Sequence, residues 1–344
     1  MKTRSNENNK NSAAKKIIPA VGMLALSATM LSTSTYAWFT MNKEVQMTGL
    51  SMTAAVGEGM EIALAEVEGT TITMNTTPAD DKSDSWGSAV VVGEYYDKIG
   101  LLNPASSVDG VNLYDATDAT NGGKKASNFK AIDLTNTDNI ATATARKELV
   151  TDGTVKADEG SVGYCVDIPV HLRTNKKSSS GVKENGEIYC KINITPNSKS
   201  AEGSALDAEA DTLYKAIRVA FIPKTEDTGS DTKIFAVDSK CYGGDKVAVS
   251  GTSAKTASAN LITDNTFVVN ASKFADGVGV NSGLNIPLAD GAGQYGHLDF
   301  TVRVWLEGES TSCYNDKSGQ SWNIDLAFSL GEFDTATTSE GVGA

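Results

Sequence analysis

The sequence predicts a mostly β protein, an antiparallel two-sheet sandwich of jelly-roll type with long loops and one or two short helices. Several segments spread along the 344 residues alternate apolar and polar side chains with a period of two, which is typical of half-buried strands. Proline is rare, and stretches rich in Gly, Asp, Ser and Thr separate these segments, as expected for turns. Strands distributed in this way favour two sheets packed around one core.

The clearest alternating segments are the predicted strands. In residues 162–172, for example, apolar side chains share one face, and Cys165 and His171 lie on the other. Helical patterns are confined to residues 205–217 and a short stretch near 142–149. The predicted strands are residues 49–56, 60–64, 162–172, 187–194, 298–307 and 322–330.

The alternating pattern weakens between residues 78 and 160, where one apolar run at 89–92 interrupts a polar, turn-rich sequence. We interpret this region as a loop-rich insertion in a single sandwich domain that spans residues 38–344. The Gly-rich stretches 276–283 and 290–296 lack the Lys-Ser/Thr and the helix of a phosphate-binding loop, so they are predicted to be ordinary loops.

Charge and motif content exclude several function classes. The net charge of −13 argues against a nucleic-acid partner, because binding to phosphates needs a basic surface. The two histidines, His171 and His297, are far apart in sequence, and the chain has neither an H-E-x-x-H nor a G-x-S-x-G motif. The sequence therefore predicts a protein that is not an enzyme and has no cofactor and no metal. Calcium binding at the acidic stretches 80–84 and 207–211 stays open, although neither matches an EF-hand loop.

Residues 1–37 have the layout of a secretory leader. Basic residues precede an apolar run that starts at Ile17 and ends in small residues at Ala37. We predict cleavage after Ala37, which leaves Trp38 as the first residue of a secreted or cell-surface-associated protein. The alternative is that residues 17–37 are retained as an anchor, since they are nearly long enough to span a bilayer.

A leader ending in TYAWFT, a polar stretch MNKEVQMTG and an alternating strand LSMTA follow one another in this chain. This succession, within about residues 17–64, resembles the TasA/camelysin family of Gram-positive exported proteins with a SipW-type signal peptide. The resemblance implies processing by a SipW-type signal peptidase, no stable membrane insertion afterwards, and a role as a subunit of an extracellular fibre or biofilm matrix. The camelysin branch is described as metallopeptidase, but no two histidines here stand one helical turn apart beside a glutamate.

Residues 38–47 are predicted to be a strand that becomes free when the leader is removed. Such a strand leaves its backbone groups unpaired and its apolar face in water, which favours pairing with the edge of a sheet. It either folds back on its own sandwich or, as the resemblance implies, is donated to a neighbouring copy, so that the protein self-associates into fibres. The apolar face of this predicted donor strand consists of Phe39, Met41, Val45 and Met47.

A second function class is a surface binding module, an adhesin or glycan binder that uses the loops of the sandwich. Such a site needs aromatic side chains, and the predicted loops contain several of them, although they are scattered in the sequence. They are Trp86, Tyr95, Tyr96, Tyr114 and Tyr242.

The four cysteines allow three pairings if they are oxidised. Cys241 and Cys313 both lie in turn-like sequence, where a disulfide would meet no constraint from strand register. Cys165 and Cys190 flank a plausible hairpin, but their side chains have opposite parity relative to the apolar faces, so that pairing stays open. Free thiols are the remaining alternative.

Overall fold

The computed structural model describes most of the predicted sandwich and parts of the predicted insertion. All of the residues that it describes belong to one compact unit, Glu44–Ala344. They are residues 47–54, 59–69, 71–92, 95–96, 102–107, 109–116, 130–141, 163–179, 183–196, 213–224, 229–237, 261–262, 279–291, 293–308, 310, 312–313 and 322–333.

The described residues are mostly in β-strands, with short 3-10 turns at Ser83–Ser85, Thr137–Asn139 and Leu213–Ala216. In chain order the strands are β1 (Met47–Ala54), β2 (Met60–Ala63), β3 (Ala65–Glu68), β4 (Thr71–Met74), β5 (Ala89–Val91), β6 (Ala105–Ser106), β7 (Tyr114–Asp115), β8 (Lys130–Ala131), β9 (Cys165–Thr174), β10 (Asn185–Pro196), β11 (Ile217–Pro223), β12 (Lys233–Ala236), β13 (Leu261–Ile262), β14 (Val280–Pro287), β15 (Gly296–Leu306) and β16 (Trp322–Leu330).

Two sheets form the sandwich within the described part of the chain. The five-stranded sheet has the order β14-β10-β16-β1-β5, and the six-stranded sheet has the order β13-β12-β11-β15-β9-β2. From β9 onwards the long strands alternate between the two sheets, which is the jelly-roll type of connection. The predicted mostly β, two-sheet sandwich is therefore confirmed.

The first strand pairs with the last one in parallel. Met47 lies opposite Trp322 and Ala54 opposite Phe328, so the β1–β16 ladder runs from one end of β1 to the other, with a shift of register between Met47 and Gly49. On its other side β1 pairs with the three residues of β5, in antiparallel orientation. Most other ladders of the sandwich are antiparallel; the β12–β13 ladder is parallel as well.

The core lies between the sheets, where period-two alternation directs apolar side chains inward. Phe221 of β11 is fully buried, and its ring centroid lies 5.1 Å from that of Phe235, 5.9 Å from Phe300 and 5.4 Å from Phe328. Phe328 belongs to the five-stranded sheet and the others to the six-stranded sheet, so this aromatic cluster joins the two sheets.

A second apolar cluster covers part of the outer face of the six-stranded sheet. Two backbone hydrogen bonds attach the predicted insertion there, from Ala141 N to Cys165 O (2.7 Å) and from Tyr164 N to Asn139 O (2.8 Å). Strands β6, β7 and β8 form a small sheet of their own in this region. The buried members of the cluster are Ala105, Leu113, Cys165, Ala220, Ile234 and Trp305.

A buried ion pair fixes the insertion over this cluster. Arg303 of β15 faces its register partner Asp167 of β9 and donates from Nε and Nη2 to both carboxylate oxygens, each at 2.7 Å. Its Nη1 donates to the carbonyl oxygens of Gly110 (3.2 Å) and Val111 (2.7 Å) in the insertion. Gly110 has φ +73°, and a Cβ there would lie 2.9 Å from the Cβ of Ala220, so this close approach requires glycine.

Two segments that cross from one sheet to the other, which we call the crossings, cover the edge strands β2 and β14. On one side Gly87, just before β5, exchanges backbone hydrogen bonds of 2.8 and 3.0 Å with Ile62 of β2. On the other side Ser230 Oγ accepts from Asn285 N of β14 (2.8 Å), and Asp231 N donates to Gly283 O (2.7 Å). Exposed strand edges promote aggregation, and these crossings protect the described edges at these points.

Several local predictions were wrong. The predicted helix at 205–217 ends in strand β11, which begins at Ile217, and its described part before that is a single 3-10 turn. The predicted loop at 276–283 contains the start of β14 at Val280. Cys165 and Cys190 flank no hairpin, because β9 and β10 belong to different sheets. The helix predicted near 142–149 lies outside the described residues.

Candidate functional site

The richest cluster of polar side chains lies on the outer face of β2, β9 and β15. The outward-facing residues of β9, His171 and Arg173, are the register partners of Asp299 and His297 on β15. On the other side Glu61 of β2 is the partner of Arg173. Strand register thus places both histidines of the chain on one face. Residues 75–87, which we call the strap, contact this face.

His171 is fully buried beneath the strap. Its Nδ1 lies 2.7 Å from Asp299 Oδ1, and Thr77 of the strap donates from Oγ1 to Asp299 Oδ2 at 2.5 Å. Nε2 is buried and has no hydrogen-bond partner among the described residues. A proton on Nδ1 lets His171 donate this hydrogen bond to the carboxylate of Asp299.

The carboxylate of Asp299 is held in its ionised form. Burial alone would raise its pKa, but hydrogen bonds from His171 and Thr77, together with the charges of His171 and Lys224, outweigh burial and hold the pKa below its ordinary value of 3.8. Asp299 thus accepts hydrogen bonds from both β9 and the strap, and its charge links the two.

We expect Asp299→Asn to lower the free energy of unfolding by about 1.5–3 kcal/mol at pH 7, the usual range for hydrogen bonds to a charged group. Because the folded-state pKa is depressed, this stabilisation is present above the unfolded-state pKa near 4 and is lost as the pH falls through the folded-state pKa. Urea unfolding of both proteins at pH 7 and pH 3 measures the effect. Asp290→Asn, at an exposed position, is the control. If Asp299→Asn lowers the free energy of unfolding as much at pH 3 as at pH 7, the ionised carboxylate of Asp299 is not the source of the stabilisation.

The guanidinium group of Arg173 lies between two aromatic rings and forms hydrogen bonds along its edge. Nε and Nη2 lie 2.7 and 2.6 Å from Glu61 Oε2, and Nη1 donates to the carbonyl oxygen of Asp80 in the strap at 2.9 Å. The guanidinium carbon lies 4.6 Å from the ring centroid of Trp86 and 4.2 Å from that of Tyr295. Stacking of a guanidinium between two aromatic rings adds cation–π attraction to the ion pair.

His297 joins the strap to β15 directly. Its Nε2 lies 2.8 Å from Asp80 Oδ1, and its side chain is 32% exposed. The imidazole ring also lies near Trp86, with a centroid distance of 5.7 Å. The contacts of Arg173 and His297 therefore converge on Asp80, so this residue attaches the strap to both β9 and β15.

The geometry favours a structural role for this cluster. His171 Nε2 is out of reach of solvent, so His171 cannot act as an acid or base toward an external substrate in this conformation. No group of three or more His, Cys, Asp or Glu side chains within the described ranges is placed to hold a metal ion. The charged groups instead pair with one another and attach the strap to the sheet, and among the described residues Nε2 of His171 and Nδ1 of His297 are buried without a hydrogen-bond partner.

The predicted site residues fall mainly outside the described residues. Ala37 and Trp38 of the predicted cleavage site lie there, as do Phe39, Met41 and Val45 of the predicted donor strand and Cys241 of the predicted disulfide. These predictions stay predictions.

Two predicted site residues are described. Met47 is the first residue of β1 and lies opposite Trp322 in the sheet of its own chain. Cys313 is half-buried, in a turn whose backbone bonds to Ser310. Cys165 and Cys190 have free, buried thiols, and burial raises the pKa of both, so they are poorly reactive.

Sequence reasoning did not bring the two histidines together. Parity does place His171 on the outward face of its strand, on the same side as Asp167, and this was visible in the sequence. The pairing of His171 with Asp299, and of His297 with the strap, depends on the β9–β15 register and on a loop path that periodicity does not reveal.

None of the described helical segments is both long and apolar enough to cross a membrane. No protein-family model matches the chain, and searches of curated proteins and of solved structures give no match either.

Proposed function

We propose that this protein is a secreted structural subunit of an extracellular fibre or biofilm matrix, and that its copies join by donating an N-terminal strand. The observation that supports this most is the position of β1. It is an interior strand of its sheet, yet no short hairpin connects it to either of its neighbours, β16 and β5.

A strand placed in this way can come from another copy without altering the sheet. The β1–β16 ladder is parallel, so a long connection must separate its two strands, and β5 follows β1 only after β2, β3 and β4. Met52 of β1 is fully buried in the core, so the strand is needed for a complete sandwich. Exchange of an identical element between copies preserves every contact and is a low-cost route to assembly.

Segments of the chain cover the edge strands β2 and β14, which favours the exchange of β1 between copies over the addition of a new strand at these edges. An added strand would have to displace the crossings at Gly87 and at Ser230, which already use described backbone groups of β2 and β14. A replaced strand would instead form the same ladder with β16 that β1 forms now.

The residues before β1 supply the means of donation. Residues 38–46 run directly into Met47, and cleavage after Ala37 by a SipW-type peptidase would release them together with β1. Burial of the four apolar side chains of the predicted donor strand, at about 1.5–3 kcal/mol each, contributes about 6–12 kcal/mol before the cost of ordering the strand. That is sufficient for a stable joint between copies.

Cross-linking between copies tests the proposal. In a background with Cys241→Ser and Cys313→Ser, one preparation has Ser51→Cys and the other has Asp325→Cys, because these positions are register partners in the β1–β16 ladder. Oxidation of mixed polymers is expected to give disulfide-linked dimers, and removal of residues 38–46 is expected to prevent polymerisation while circular dichroism shows a folded monomer.

The matched control replaces Asp325→Cys with Ser329→Cys, which is displaced along β16 from the partner of Ser51. If polymers form but no disulfide forms between positions 51 and 325, the contact between copies is not the β1–β16 ladder. A protein that stays monomeric at every concentration would contradict the fibre proposal itself.

The alternative, a glycan-binding module, has less support. Trp86 and Tyr96 are buried, with 7% and 2% of their surfaces exposed, and Trp86 stacks on Arg173. Tyr95 and Tyr114 are half-buried, and Tyr242 lies outside the described residues. Sugar stacking requires an open aromatic face, which the two buried side chains do not offer.

A further inference from the structure

Strand β4 has an edge to which no described residue is paired. Strands β3 and β4 form a sheet of their own, in which Val67 lies opposite Ile72. On the β3 side, Ser85 of the strap closes the edge, because its Oγ accepts from Val67 N at 2.7 Å and donates to Val67 O at 3.2 Å. The strap thus covers β3 and leaves β4 as the outer strand of this hairpin.

The contacts of Ser85 also fix the direction in which the backbone of β4 points. In an antiparallel pair, residues that bond to the neighbouring strand alternate with residues whose N–H and C=O point away from it. Val67 points towards Ser85 and away from β4, so its register partner Ile72 points away from β3, and so does Met74. None of the described backbone hydrogen bonds outside the strand ladders involves Ile72, and the carbonyl oxygen of Met74 accepts a long one, at 3.5 Å, from Thr76 Oγ1.

The sequence of this edge lacks the usual protection against the addition of a strand. Natural edge strands carry charges, proline or bulges that prevent pairing. Strand β4 reads Thr-Ile-Thr-Met, which contains neither charge nor proline and is rich in the β-branched residues that favour strands. Residues 69–79 as a whole contain no charged side chain. By contrast, the crossings cover the edges of β2 and β14.

We propose that β4 is a docking edge for β4 of a second copy. The two strands pair in antiparallel orientation about a two-fold axis at Thr73, which joins the two hairpins into one sheet with the order β3-β4-β4-β3. Ile72 then lies opposite Met74 of the second copy, so the outward backbone groups of both residues gain partners. The contact does not involve β1, so it is independent of the exchange of strands between copies.

Charge favours a second copy as the occupant of this edge. Copies with a net charge of −13 repel one another, and they approach most easily where their surfaces carry no charge. In the proposed pairing only uncharged side chains of β4 face each other, and Thr73 lies opposite its own counterpart, a pair whose hydroxyl groups can form a hydrogen bond. Because the edge is short, the contact is weak between single copies and gains strength where many copies act together.

Disulfide trapping on the purified protein tests the proposal. In a background with Cys241→Ser and Cys313→Ser, one protein has Thr73→Cys and the other has Glu68→Cys, at exposed positions on the two strands of the hairpin. In the joined sheet Thr73 meets its counterpart directly, whereas the Glu68 positions lie three strand spacings apart, about 14 Å, which is about twice the reach of a disulfide. On oxidation we therefore expect Thr73→Cys to give at least about fivefold more linked dimer than the matched control Glu68→Cys.

A proline at position 72 assigns the contact to the backbone edge. Ile72→Pro removes an N–H that points away from β3, so it keeps the β3–β4 ladder and blocks pairing at the open edge. Added to Thr73→Cys, it is expected to lower the yield of linked dimer to that of Glu68→Cys, with an unchanged circular dichroism spectrum.

Two results would overturn the proposal. One is an equal yield of linked dimer from Thr73→Cys and Glu68→Cys, which would mean that exposed cysteines meet by random collision. The other is a yield that Ile72→Pro leaves unchanged in a folded protein. If Ile72→Pro does not fold, the comparison of the two cysteine positions decides alone.

Discussion

Replacing Arg303 with methionine is expected to lower the free energy of unfolding by about 3–5 kcal/mol, because breaking a buried ion pair leaves its partner charged and unpaired. The side chains of Arg303 and Asp167 are 10% and 18% exposed, so water compensates little for the loss. The carbonyl oxygens of Gly110 and Val111 also lose their donor, which weakens the attachment of the insertion. Urea unfolding monitored by tryptophan fluorescence measures the effect.

A double-mutant cycle separates the ion pair from general damage. Asp167→Leu with Arg303→Met removes both charges, and well-packed apolar residues can replace a buried pair at little cost. We therefore expect the double variant to be more stable than Arg303→Met alone. A loss below about 1 kcal/mol in the single variant would mean that water replaces the guanidinium, contrary to the burial of the pair.

Phe221→Ala is expected to cost about 3–5 kcal/mol, the usual range for truncation of a buried phenylalanine. Its ring contacts three other phenylalanine rings, among them Phe328 across the sandwich, so the cavity would lie where the two sheets meet. Thermal or urea unfolding gives the value.

The control for Phe221 is Phe333→Ala. Phe333 is half-buried and stacks with Lys191 at 4.6 Å, so its truncation should cost about 1 kcal/mol or less. Equal losses at the two positions would show that the aromatic cluster does not hold the sheets together.

Alternation in the sequence predicted the half-buried strands well. The predicted strand 322–330 has the bounds of β16. Strand β10 extends its prediction at both ends, and β15 begins before its prediction and ends at Leu306, one residue short of it. Strand β11 was missed because Ile217 to Phe221 are buried on both faces, which removes the period of two. Strand β14 was missed because its Asn, Ser and Gly residues resemble a loop; it is an outer strand, and Ser230 and Asp231 supply its remaining hydrogen bonds.

The site was less predictable than the fold. Periodicity assigns His171 to the outward face of β9, but it does not say which residue of which strand lies opposite. The contact of Asp80 with Arg173 and His297 joins a loop to two strands that are distant in sequence. Such contacts follow from tertiary packing, and one sequence without a motif does not specify them.

The parallel ladder between β1 and β16 also sets a limit on when the protein can finish folding. Strand β1 is synthesised long before β16, its partner in this ladder. Pairing at such long sequence separation is slow, because a large loop must close before any contact forms. The five-stranded sheet therefore stays incomplete until β16 has been synthesised, and a product truncated before Trp322 would leave β1 and β10 without the strand that lies between them.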